Sequence, residues 1–269
     1  MDASARSAAR HPLETAGRVG YAVKGVLYGL LGVLAVQTAR GGGDTEGQRG
    51  ALQAVAESSG GDVLLLLLAI GLGAYGLWRL ALAALDPEGK GSDASGLARR
   101  AGYVISGLSY AALAVTAFRL RGGGGSGGGG AEGRAETALG LPGGPLLVGL
   151  VALGVLAYGG WEFVRATRAD FMDKLALRGD AARQRETIRR IGQAGLAARG
   201  VVYSIIGVFL ARTALQSDAD EALGLDGALA VLRDAPYGPW LLGAVGVGLF
   251  AYGLYCGINA LYRRFEGAQ

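Results

Sequence analysis

The sequence predicts an all-α membrane protein with six transmembrane helices, arranged as three parallel two-helix hairpin repeats around a pseudo-threefold axis. Three observations carry this. The 269 residues are 51% hydrophobic and only 18% charged, with a mean hydropathy of +0.34, and the apolar residues fall in six blocks of about the 20 residues a span needs. Two short motifs recur three times in register. Lys and Arg concentrate on alternate connecting segments, the bias that orients membrane helices.

Residues 1–17 form a polar tail with Arg6, Arg10 and the single histidine, His11. The tail has no cleavable-signal pattern, so the first apolar block, 19–39, is read as an uncleaved anchor. With 63–85 it makes the first repeat, 18–88. The second repeat, 97–168, holds spans 101–120 and 146–164, joined by an outer loop whose run 122–130 reads GGGGSGGGG, a flexible-coil composition. A basic segment, 169–190, follows. The third repeat, 191–265, holds spans 194–215 and 239–261. Stretches before the second span of each repeat echo one another: Gly50-Ala-Leu resembles Gly227-Ala-Leu, and Pro142 and Pro145 match Pro236 and Pro239. This predicts a short amphipathic turn on the outer surface, then a proline opening the returning span.

Sixteen Lys and Arg fall on the side of the two termini, eight of them between Arg165 and Arg190; seven fall on the other side. Both termini are therefore expected to be cytoplasmic, in a bacterial plasma membrane. The basic segment also carries Phe171, Met172, Leu175 and Leu177. Two readings stand: a helix lying on anionic lipid, or a topogenic loop and nothing more.

The odd-numbered spans share Gly20, Gly25 and Tyr28; Gly102, Gly107 and Tyr110; Gly195, Gly200 and Tyr203. The even-numbered spans share Gly71, Tyr75, Gly76 and Trp78; Gly154, Tyr158, Gly159 and Trp161; Gly248, Tyr252, Gly253 and Tyr255. Each repeat leaves and returns, so successive repeats have one orientation and are parallel rather than inverted, a point against alternating-access transport. On these motifs the chain resembles a bacterial integral membrane family known as domain of unknown function 1206, from about residue 16 to 265. Leu196 departs from it, where the other copies have Tyr21 and Tyr103, as does the first hairpin's lack of prolines. The resemblance implies membrane location and six spans, and no activity.

Chemistry is narrowly bounded. One cysteine, Cys256, and one histidine exclude a zinc cluster, an intramolecular disulfide and a histidine-based triad. Gly-x-Gly runs near Gly71 and Gly243 lie inside spans, without the strand and turn a nucleotide site needs. No metal, cofactor or nucleic acid is expected, nor enzymatic activity. Tyr28 lies ten residues beyond Arg18, about 15 Å along a helix, near the middle of a core about 30 Å thick. Tyr28, Tyr75, Tyr110, Tyr158, Tyr203 and Tyr252 thus form a candidate midplane cluster, because aromatic belts alone would place tyrosine at the interfaces. The hydroxyls either bond neighbouring helices or line a cavity or groove for an amphipathic ligand. The twelve repeated glycines of the motifs are candidate helix-packing positions.

Lys24, Arg79, Glu162 and Arg199 form a candidate inner polar cluster. Either Glu162 pairs with one of the bases, or the bases snorkel to the inner surface and Glu162 lies exposed at the end of its span. Three functions follow: a non-enzymatic scaffold or accessory protein with a membrane-protein partner, a small channel or carrier along the repeat axis, or a lipid- or quinone-binding protein. Membrane lipids are the expected partners, anionic lipid at 165–190 among them.

Overall fold

The computed structural model describes residues 3–41, 47–85, 94–122 and 131–264. Most of the Gly-rich run lies outside them. In chain order the helices are α1 (Ala3–Ala39), α2 (Gln48–Ala56), α3 (Gly61–Leu85), α4 (Ala94–Arg121), α5 (Ala131–Leu139), α6 (Gly144–Arg168), α7 (Asp180–Arg183), α8 (Arg185–Gln216), α9 (Leu225–Asp234) and α10 (Gly238–Tyr262). Six of them, α1, α3, α4, α6, α8 and α10, are long and apolar enough to cross a membrane. Their outward faces carry bare Val63, Leu67, Leu77, Leu108, Leu146, Leu153 and Val247, the surface that lipid rather than water covers.

The sequence pairs helices as hairpins, but the closest packing joins successive repeats: α3 with α4, α6 with α8, and α10 with α1. Within hairpins, α1 with α3 and α8 with α10 pack less extensively, and α4 and α6 barely meet. The ring is therefore α4–α3–α1–α10–α8–α6, open at its second hairpin.

Glycine explains the strong joints. A Cβ at Gly253 would lie 2.7 Å from the carbonyl oxygen of Gly25, one at Gly76 would lie 2.9 Å from that of Gly107, and one at Gly159 would lie 3.2 Å from that of Gly200. Each joint thus pairs the second motif glycine of an even helix with that of the next odd helix. Small residues there let backbones touch, which is what drives association where lipid is as apolar as leucine. The weaker joints use the first glycines: Gly20 packs on Tyr75, Gly71 on Val23, Gly195 on Tyr252 and Gly248 on Ala198. Gly102 and Gly154 do not fill the packing role expected of them, because no atom lies within 4 Å of a Cβ placed at either. They are the first glycines of the hairpin that has opened.

The outer segments are short helices rather than turns. α2 buries Ala51, Leu52 and Val55, and α9 buries Ala228, Leu229 and Leu232, capping the end opposite the termini. Pro145 and Pro239 open α6 and α10 as expected. A left-handed residue turns the chain into each returning helix, Gly60 at φ +81°, Gly143 at +76° and Tyr237 at +61°, and the first hairpin makes this turn without proline.

At the other end α1 starts at Ala3, so the polar tail is helical, and Arg18 donates to the carbonyls of Ala260 and Leu261 at 3.0 Å, satisfying free acceptors at the end of α10. Of the two readings of 169–190, the structure departs from the helix lying on lipid. Phe171, Met172 and Leu175 are buried in the protein, on a short 3-10 turn (Asp170–Lys174). Phe171 stacks edge-on against Tyr255 at 5.0 Å, and the segment bonds through Ala176 N to Tyr262 O at 2.7 Å and Arg264 N to Lys174 O at 2.8 Å. The bundle offers these apolar side chains a packed site, so none is left for the lipid surface. From Arg185 onward the chain belongs to α8.

Candidate functional site

The six repeated tyrosines meet as three pairs, one at each strong joint. Tyr75 and Tyr110, Tyr158 and Tyr203, and Tyr28 and Tyr252 have ring centroids 4.7, 5.0 and 4.8 Å apart and interplanar angles of 83°, 83° and 78°. Each pair joins the even helix of one repeat to the odd helix of the next, so the glycine contact and the ring contact belong to the same interface. Edge-to-face packing sets the positive ring edge on the negative face, about 0.5–1.5 kcal/mol beyond burial.

Two buried cations connect the three pairs. Lys24 Nζ donates to Tyr75 Oη at 3.4 Å and to Tyr252 Oη at 3.3 Å, and lies 5.0–5.8 Å from the rings of Tyr21, Tyr75, Tyr110 and Tyr252. Arg199 Nη2 donates to Tyr158 Oη at 3.1 Å and Tyr203 Oη at 3.2 Å, and its guanidinium sits 4.3 Å from the Tyr252 centroid. Arg79 donates to Tyr75 Oη from Nε at 3.0 Å and from Nη2 at 2.8 Å, so the Tyr75 hydroxyl receives from two different cations.

Snorkelling is not what Lys24 and Arg199 do: they are 4% and 6% exposed and turn into the bundle. Glu162 is 0% exposed, which overturns the expectation of an exposed end-of-span carboxylate. It pairs with Arg199 Nη1 at 3.0 Å and, through its other oxygen, with Arg165 Nη1 at 3.2 Å. A buried carboxylate persists only when paired in this way. Among the described residues neither Lys24 nor Arg79 has a carboxylate partner. Of the three cations in the predicted inner cluster, only Arg199 reaches its one acid.

A cavity of about 180 Å³ adjoins Arg199, lined by Tyr28, Gln48, Tyr203, Val202, Ile206 and Leu249 among others. Gln48 reaches it from α2 and donates to Tyr28 Oη at 3.4 Å. The polar lining is one guanidinium, two phenols and one carboxamide; the remainder is aliphatic. On the other flank of Arg199 the α4–α6 opening leaves Tyr158 39% exposed.

Gln48, Arg165, Tyr21 and Asn259 were not singled out from the sequence. Gln48 carries a signal, since it lies four and seven residues before Leu52 and Val55 on the buried stripe of α2. Arg165 stands three residues after Glu162, within ion-pair reach on a helix. Tyr21 lies outside the repeated motifs' full agreement. Asn259 is buried and donates to the Tyr255 carbonyl at 2.8 Å, while Arg263 donates to its Oδ1 at 3.2 Å; it repeats nowhere.

A family model described as "Domain of Unknown Function (DUF1206)" matches the chain three times, at residues 19–86, 101–169 and 194–263. A protein of Bacillus subtilis (strain 168), called "Uncharacterized protein YxxB", is 36% identical over 251 residues, covering 92% of this chain and 90% of its own. No solved structure matches significantly.

Proposed function

We propose, for a chain that belongs to the DUF1206 family, a non-enzymatic role as a membrane-embedded binding protein for an amphipathic ligand. The observation that carries this reading is a part-polar, part-aliphatic cavity lined by Tyr28, Tyr203 and Arg199, members of the set of three tyrosine pairs and two buried bases. Packing accounts for the glycines. It does not account for bases drawn inward, where burying an ion costs several kcal/mol. The charge bias supports an orientation with both termini cytoplasmic, and on this reading the membrane is a bacterial plasma membrane.

The channel reading has less support, because Leu27, Leu31, Leu72, Leu196 and Leu249 fill the core between the helices and α2 and α9 cap the outer end. A scaffold role finds support in the exposed apolar faces of α4 and α6, which leave room for a membrane-protein partner. Binding of anionic lipid at 165–190 now rests on its basic side chains alone. Native mass spectrometry of protein purified in mild detergent tests the main reading. A co-purified small amphipath that is lost in a Tyr28→Phe/Tyr203→Phe variant supports it; release of none, across several detergents, refutes it.

A further inference from the structure

We infer that the ligand's polar group is an oxyanion, a carboxylate or phosphate, and that Arg199 receives it at the floor of the cavity between α1, α8 and α10. This rests on the binding reading above and assigns the chemical class of its ligand.

Positive charge is in excess around the site. Of Lys24, Arg79 and Arg199, Arg199 alone pairs with a carboxylate among the described residues, and that carboxylate, Glu162, is also held by Arg165. Among the described residues the hydrogen bonds of Lys24 are two long ones to neutral hydroxyls. Phenol rings and hydroxyls soften buried positive charge, but they do not cancel it, and a ligand anion would.

The guanidinium of Arg199 also keeps one edge incompletely used. Glu162 takes Nη1, and the tyrosine hydroxyls take Nη2. Arg199 Nε is buried and has no acceptor, although a buried donor left unmade costs about 1–3 kcal/mol. The edge formed by Nε and Nη2 is one that carboxylates and phosphates grip with two oxygens. That edge borders Tyr203, whose side chain lines the cavity. Tyr28 and Gln48, facing the same space, supply further donors to an oxyanion, while Val202, Ile206 and Leu249 accept its apolar remainder.

The chemistry is shared by an anionic lipid headgroup and a free anion, and the experiment separates them. Purified protein is offered phosphatidylglycerol or phosphatidylcholine in mixed micelles and read by native mass spectrometry. In parallel it is melted with inorganic phosphate or acetate. The variants are Gln48→Leu and Arg199→Gln/Glu162→Gln, the second replacing the ion pair by two amides so that no charge is stranded.

If the anion is a lipid's, phosphatidylglycerol is retained about tenfold or more over phosphatidylcholine, the preference disappears in the double variant and weakens in Gln48→Leu. If it is a free anion, phosphate or acetate stabilises the wild type and not the double variant. Equal retention of both lipids with no effect of free anions overturns the oxyanion and leaves the binding reading standing. Retention of no amphipath and no response to anions overturns both. A preference abolished by Arg183→Gln/Arg185→Gln, and not by the cavity variants, assigns the lipid to the inner loop and also overturns the inference.

Discussion

Alanine at the motif glycines separates an open ring from a closed one. Gly195 and Gly102 occupy the same motif position, yet a Cβ at Gly195 would lie 2.6 Å from the backbone N and Cα of Tyr252, and one at Gly102 meets nothing within 4 Å. Backbone does not swing aside, so Gly195→Ala must push α8 from α10, an overpacking cost of about 1–3 kcal/mol. Gly253→Ala, with the backbone of Gly25 and Gly29 at 2.7 Å, belongs to the same class. Gly102→Ala and Gly154→Ala carry only the helix-propensity gain, about 0.5–1 kcal/mol. The two classes should differ by ~2 kcal/mol, roughly 4–8 °C in melting temperature for a chain this size. Tryptophan fluorescence of detergent-solubilised protein, through Trp78, Trp161 and Trp240, reads it. Equal losses at Gly102 and Gly195 would mean that α4 and α6 pack like the other hairpins and that the ring is closed.

Four more outcomes are expected. Tyr75→Phe strips the acceptor shared by Lys24 and Arg79 and should cost about 1.5–3 kcal/mol; Tyr110→Phe, which keeps its ring contact, should cost under about 0.5 kcal/mol, and equal losses in the melt would deny the hydroxyl its role. Glu162→Gln should destabilise by about 3–5 kcal/mol, with most of the loss recovered in Glu162→Gln/Arg199→Gln; a double-mutant cycle without coupling contradicts the pair. Phe171→Ala should cost about 3–5 kcal/mol and expose residues 170–183 to trypsin, whereas an unchanged digestion pattern would return that segment to the membrane surface. In a Cys256→Ser background, Ser217→Cys should react with an impermeant maleimide from outside the cell and Ala181→Cys only after lysis; the reverse pattern inverts the proposed topology.

The spans were legible because each is a long apolar run, and the repeat was legible because its glycines and tyrosines serve one interface three times. What periodicity conceals is which neighbour a motif serves. Gly25 and Tyr28 look like hairpin residues and prove to be joint residues, since a stripe of small side chains records a close approach without naming the helix that makes it. The buried direction of Lys24 and Arg199 was equally hidden. A base one or two turns inside the boundary has the reach to snorkel, and what draws these two inward comes mostly from other helices: Tyr75 and Tyr252 for Lys24, and Tyr158, Tyr252 and Glu162 for Arg199. Phe171 and Met172 were legible as apolar and illegible in destination, because the site that buries them is assembled from α8 and α10.

One position ties the opened hairpin to the chemistry. Lys24, Ser106 and Arg199 stand four residues after the first glycine of their helices. Lys24 connects the tyrosine pair of α3–α4 to that of α10–α1, and Arg199 connects the pair of α10–α1 to that of α6–α8. The third connection, between the α3–α4 and α6–α8 pairs, falls to Ser106, whose side chain ends one atom beyond Cβ and spans no such distance. Its hairpin is the one whose first glycines, Gly102 and Gly154, touch nothing, and the one that leaves Tyr158 open to the lipid. The missing base and the missing contact therefore coincide. A bundle that repeats its joints three times and its connecting cation only twice has one side where the tyrosine and arginine core is reachable from within the membrane, and it is the side on which Ser106 stands where the other repeats carry a base.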